Sequence, residues 1–62
     1  MKLKVEAIRK QLGMTQEELA KILGITPTTY ALKEKKIREF KGSELVKISK
    51  LANISLDEIE II

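Results

Sequence analysis

Apolar positions along this 62-residue chain recur at helical spacing, three and four residues apart, and alternation of the strand kind is seldom sustained. Val5, Ile8 and Leu12, set among Lys4, Glu6, Lys10 and Gln11, predict a first helix from about Lys2 to Leu12, stopped by Gly13. Thr15 and Glu18 form a Thr-x-x-Glu capping box that opens a second helix. Glu17 and Glu18 suit its positive N-terminus, and Leu19, Ile22 and Leu23 form its buried stripe. Gly24 ends it, and Thr26-Pro27 starts a third helix running to Lys35. Lys36 to Gly42 reads as a basic loop carrying Phe40. A fourth helix spans about Gly42 to Ala52, with Leu45, Val46, Ile48 and Leu51 apolar and Asn53 as its C-cap. Ser55 and Glu58 repeat the capping box before a short fifth helix, with Leu56 and Ile59 facing inward. The expectation is an all-α, compact five-helix single domain over residues 1–62.

Helices two and three are separated only by Gly24, Ile25 and Thr26, the arrangement of a helix-turn-helix unit. Gly24 permits the positive φ of the turn, Ala20 lets the helices cross closely, and Ile25 pins the turn to the core. Tyr30 and Phe40 are expected in that core. Composition narrows the chemistry. The chain has no His, Cys or Trp, which excludes conventional zinc and haem sites, disulfides and thiol or imidazole nucleophiles. No enzyme, metal, cofactor or small-molecule ligand is therefore expected, and no apolar run is long enough to span a membrane. A domain this short buries roughly 60% of its unfolded surface, so stability rests on its 17 Leu and Ile residues.

The segment GMTQEELAKILGIT, then a second helix, a basic loop and ELVKISKLANISLDEI, resembles the lambda-repressor-like (Xre, or Cro/repressor type) DNA-binding domains. The similarity runs from about Lys4 to Ile59, and the TTY-x-x-K-E stretch with the later REF is similar to a subgroup of phage and prophage regulators. The resemblance implies that helix three enters the major groove. It implies base-reading positions at Pro27, Thr28, Ala31 and Leu32, and phosphate contacts from Gln16, Thr26 and Thr29. It also implies an ion pair between Arg9 and Glu34. Succeeding threonines are poor helix formers, and hydroxyls offered to phosphate or a methyl offered to thymine give Thr28 and Thr29 a purpose. The chain departs from the family pattern in three places. Lys33 stands where a core aliphatic is usual: either its stem packs while the ammonium reaches solvent, or helix three is rotated and Leu32 turns toward the core. Lys36 replaces a common glycine after helix three, and Gly42 replaces a frequent core leucine, which loosens the start of helix four.

The net charge of +3 is polarised. Residues 1–10 hold four basic groups against one acidic, residues 33–41 hold five against two, and residues 51–62 hold three acidic and no basic groups. Beside a helix-turn-helix the middle cluster reads as phosphate-contacting, through Lys35, Lys36, Arg38 and Lys41, with the acidic end turned away. Ile61 and Ile62 either fray or meet a second copy. The expected function is a sequence-specific regulator of double-stranded DNA in the cytoplasm, binding a pseudo-palindromic operator as a homodimer. The small size favours a Cro-like factor, and an isolated N-terminal domain of a longer repressor is equally compatible. The alternative is a helical protein-interaction module, antitoxin-like or an anti-regulator, that does not touch DNA.

Overall fold

A computed structural model describes residues 2–60, so Ile61 and Ile62 lie outside the described residues. It contains four α-helices in the order α1 (Val5–Gln11), α2 (Gln16–Leu23), α3 (Pro27–Glu34) and α4 (Gly42–Ala52), followed by a 3₁₀ turn at Leu56–Glu58. The fifth helix expected from the sequence is therefore one 3₁₀ turn. Ser55 N–H donates to Glu58 Oε1 at 3.3 Å, but the Ser55 hydroxyl also donates to that oxygen, at 3.2 Å, instead of accepting from the backbone. Among the described residues no helix is long and apolar enough to cross a membrane.

The core gathers Val5 and Ile8 from α1, Leu19, Ala20 and Leu23 from α2, and Tyr30 from α3. Leu45 and Ile48 of α4 complete it with Ile59. Phe40 is half-buried against it, edge-on to Tyr30 with ring centroids 5.9 Å apart. Ile25 packs on the same cluster and Ala20 is fully enclosed, where α2 and α3 make the most extensive helix contact. Thr15 closes its capping box with Glu18 in both directions, at 2.8 and 3.1 Å.

Two apolar expectations and one helix boundary are corrected. Ile22 is 40% exposed and Leu56 44% exposed, so neither faces inward. The core of so short a chain is filled by other aliphatics. The first helix begins at Val5, not Lys2, because Leu3 is engaged elsewhere. It forms an isolated parallel bridge with Ile59, with Leu3 N–H donating to Glu58 O at 2.6 Å and Glu60 N–H donating to Leu3 O at 2.7 Å. Segments near the two ends of the described residues are thereby joined.

Each α-helix closes in the same way. A residue one or two positions past the helix takes a left-handed conformation, at Gly13, Gly24, Lys36 and Asn53. Paired backbone bonds satisfy the last carbonyls: at the end of α3, Lys36 N–H donates to Lys33 O and Ile37 N–H to Leu32 O, at 3.0 and 2.9 Å. Lys36 therefore keeps the turn that a glycine would make there, at φ +66°. For an L-residue that conformation is unfavourable by about 1–2 kcal/mol.

Gly42 is exposed at the start of α4, and a Cβ built there meets nothing within 4 Å. Gly42 therefore does not stand at a core position in this domain. Gly42→Ala is expected to stabilise the domain by about 0.5 kcal/mol through the unfolded chain. The thermal midpoint read by circular dichroism should rise by roughly 2–4 °C. A lower midpoint would mean that this turn packs against protein, not solvent.

Candidate nucleic-acid interface

The third helix has only eight residues, PTTYALKE, too few to be stable alone. Its start is well specified. Thr26 Oγ1 accepts from Thr29 N–H at 3.2 Å, Thr26 donates to Thr29 Oγ1 at 2.9 Å, and Pro27 occupies the first helical position. Thr28, Ala31, Leu32 and Lys35 then fall at i, i+3, i+4 and i+7, on one face. Thr28 and Lys35 are exposed, and Ala31 and Leu32 are half-buried. Pro27 is exposed beside them, and Tyr30 and Lys33 point the opposite way into the protein. Leu32 thus lies on the outer side with Thr28. The Thr28 hydroxyl makes no hydrogen bond among the described residues, whereas that of Thr26 serves as the helix cap.

Two buried carboxylates hold this helix. Glu34 accepts from Arg9 Nε at 2.9 Å and from the Tyr30 hydroxyl at 2.6 Å through Oε2, and from Gln16 Nε2 at 2.9 Å through Oε1. Arg9 also donates through Nη1 to Met14 O at 2.9 Å. One carboxylate therefore ties together α1, the turn after it, the first residue of α2, and α3. Gln16, read from the sequence as a phosphate ligand, spends one amide N–H on Glu34 and keeps a second. Burial pushes the Glu34 carboxyl up, but hydrogen bonds from Arg9, Tyr30 and Gln16 outweigh it and hold the group below its ordinary range. Burial, reinforced by Glu34, pushes the Tyr30 hydroxyl up, so it stays protonated and donates. The Glu34 hydrogen bond raises the Arg9 guanidinium further.

The second carboxylate was missed from the sequence. Lys33 is 7% exposed, and its ammonium donates to both oxygens of Glu44, at 2.7 and 2.8 Å. The ammonium does not reach solvent, and helix three is not rotated to bring it there. Glu44 Oε1 also accepts from Lys41 N–H at 2.7 Å. Burial raises Glu44, and the bonds from Lys33 and from the Lys41 backbone overcome it, leaving the carboxyl lowered. A signal for the pair existed: Glu44 lies four residues before core Ile48, and Lys33 three after Tyr30, so both registers point inward. Among the described residues no buried side-chain polar atom lacks a partner.

Between Lys33 and Glu44 runs the basic segment. Lys35, Lys36, Arg38 and Lys41 are all exposed, as is Ile37 at 68%. The acidic end of the chain is not turned away from them, because Glu60 Oε1 lies 3.3 Å from Lys36 Nζ. The pair is partly exposed and so is worth at most about 1 kcal/mol.

Comparison with known families matches residues 5–59 to a model described as helix-turn-helix, from the first residue of α1 to the end-pairing Ile59. Comparison with curated proteins and with solved structures found no significant match.

A carboxyl whose folded value lies below its unfolded one stabilises the protein above the unfolded value, about 4.3 for glutamate. That stabilisation is lost as pH falls through the folded value. Glu34 and Glu44 both act in this direction, so the thermal midpoint should drop on acidification below about pH 4.3. Glu34→Gln should cost about 3 kcal/mol at neutral pH by leaving the Arg9 guanidinium unpaired. Its acid decline should be shallower than that of the parent. Midpoints that stay flat from pH 6 to pH 3 would contradict the assignment.

Proposed function

The chain belongs to the lambda-repressor-like helix-turn-helix family of DNA-binding transcription regulators, and from that premise we propose that it reads a pseudo-palindromic operator as a Cro-like homodimer. The observation that carries this reading is the outer stripe of α3, Thr28, Ala31 and Leu32, continued past its end by Lys35 and bordered by the exposed basic segment. In this docking the N-terminal part of α3 lies in the major groove. Thr28 offers a hydroxyl to a base edge, while Pro27, Ala31 and Leu32 offer apolar contact to thymine methyls. Gln16, Thr29 and Thr26, with Lys35, Lys36, Arg38 and Lys41, lie along the phosphates and set the register. Lys36 exchanges its weak surface partner Glu60 for phosphate on binding. We place the site of action in the cytoplasm, where the DNA of a bacterial or phage-infected cell lies.

Size supports the dimer. The longest dimension of the domain is 27 Å, and half-sites of this class are centred about 34 Å apart. One copy therefore covers one half-site, and two copies related by a twofold axis match a palindrome.

Two substitutions separate reading from holding. Thr28→Ala should reduce discrimination between operator variants by about 1–3 kcal/mol while non-specific affinity stays nearly constant. Operator variants are obtained by selection from a random duplex library. An equal loss on all sequences would remove Thr28 as a base reader. Lys36→Ala with Arg38→Ala should weaken binding to every duplex and reduce the salt slope by about 2 in fluorescence anisotropy titrations. An unchanged slope would refute the phosphate assignment and favour a protein partner for this face.

A further inference from the structure

We propose that the buried Lys33–Glu44 ion pair is a positioning device for DNA binding, a clip that closes segment 34–43 and presents its cations in a fixed array. The proposal rests on the reading that this segment lies along the phosphate backbone. Lys33 is on the inner face of α3 and Glu44 is in the first turn of α4, so the pair spans the base of the loop that contains Lys35, Lys36, Arg38 and Lys41. The side chains are 7% and 6% exposed, and both Glu44 oxygens are used.

Stability alone gives no reason for the pair. Desolvating two charges costs about as much as their attraction returns, and apolar residues of similar volume commonly serve as well or better. What an aliphatic side chain cannot supply is direction. Glu44 Oε1 receives Lys33 Nζ and the Lys41 backbone N–H at the same distance, 2.7 Å. A single oxygen thus links the inner face of the recognition helix to the last residue of the basic loop. At the other end of the loop, Ile37 and Arg38 N–H both donate to Leu32 O, at 2.9 and 3.3 Å. Phe40 is held in the middle by Tyr30. Loop cations fixed before binding lose less conformational freedom on meeting phosphate, and that saving appears as affinity.

The test uses the double variant Lys33→Met with Glu44→Gln. It removes the ion pair, keeps an acceptor for the Lys41 N–H, and leaves the net charge unchanged. Amide hydrogen exchange at residues 38–41 should accelerate about tenfold while α2 amides keep their protection. Affinity for any duplex should fall by about threefold to tenfold. Unchanged loop exchange, or faster exchange with unchanged affinity, would overturn the proposal. The unaltered protein supplies a measurement independent of whether the variant folds. Backbone ¹⁵N order parameters over residues 36–41 should approach the rigid value of about 0.85, and values below about 0.6 would overturn the clip. These order parameters are read without DNA. They therefore judge the clip separately from the phosphate reading, which fails if Lys36→Ala with Arg38→Ala leaves the salt slope unchanged.

Discussion

The setting of α3 depends on two consecutive charged residues that point in different directions. Successive helical side chains diverge by about 100°, so Lys33 and Glu34 engage different neighbours. Glu34 collects donors from α1, α2 and α3 itself, and Lys33 engages the start of α4. A stripe of aliphatic side chains would hold an eight-residue helix against its neighbours but would tolerate sliding and rotation. Hydrogen bonds to buried carboxylates do not, because a displaced donor leaves a buried charge uncompensated. The outer face of α3 inherits its orientation from these inner contacts.

The helix ends show the same economy of means. Short helices leave a large share of their backbone groups without partners inside the helix. Here caps at Thr15 and Thr26 serve the starts of α2 and α3, and left-handed residues serve all four ends. The backbone of the turn between α2 and α3 is therefore satisfied locally. The side chains of α3 stay available for contacts across the domain and out of it.

Features with a local cause were legible in the sequence, and features with a distant cause were not. Thr15, Gly24, Thr26-Pro27 and Asn53 announce helix boundaries because capping chemistry acts over three or four residues. The limits of α4 followed from the spacing of its apolar residues together with the Asn53 cap. Lys36 carries no left-handed preference, so its conformation is set by the bonds that close α3. The bridge between Leu3 and Ile59 involves one residue from each end, too few to show alternation. Ile22 and Leu56 follow helical or capping patterns but lie outside the core, since a small domain has more aliphatics than interior sites. Arg9 and Glu34 were paired through family resemblance, whereas Gln16 and Tyr30, which share that carboxylate, were not placed there. Lys33 and Glu44 were each visible as an oddity of register, and only the folded chain brings them together.

The pairing of Leu3 with Ile59 makes the backbone close to a ring. In such a topology the order of helices along the chain records where the ring is opened and says little about which contacts hold it. Chain ends that lie together are what allows a domain to be permuted or inserted into another without disturbing its core. The helix-turn-helix unit lies on the far side of that ring in sequence from the point of opening. Its basic segment is nonetheless reached from that opening, through Glu60 beside Lys36.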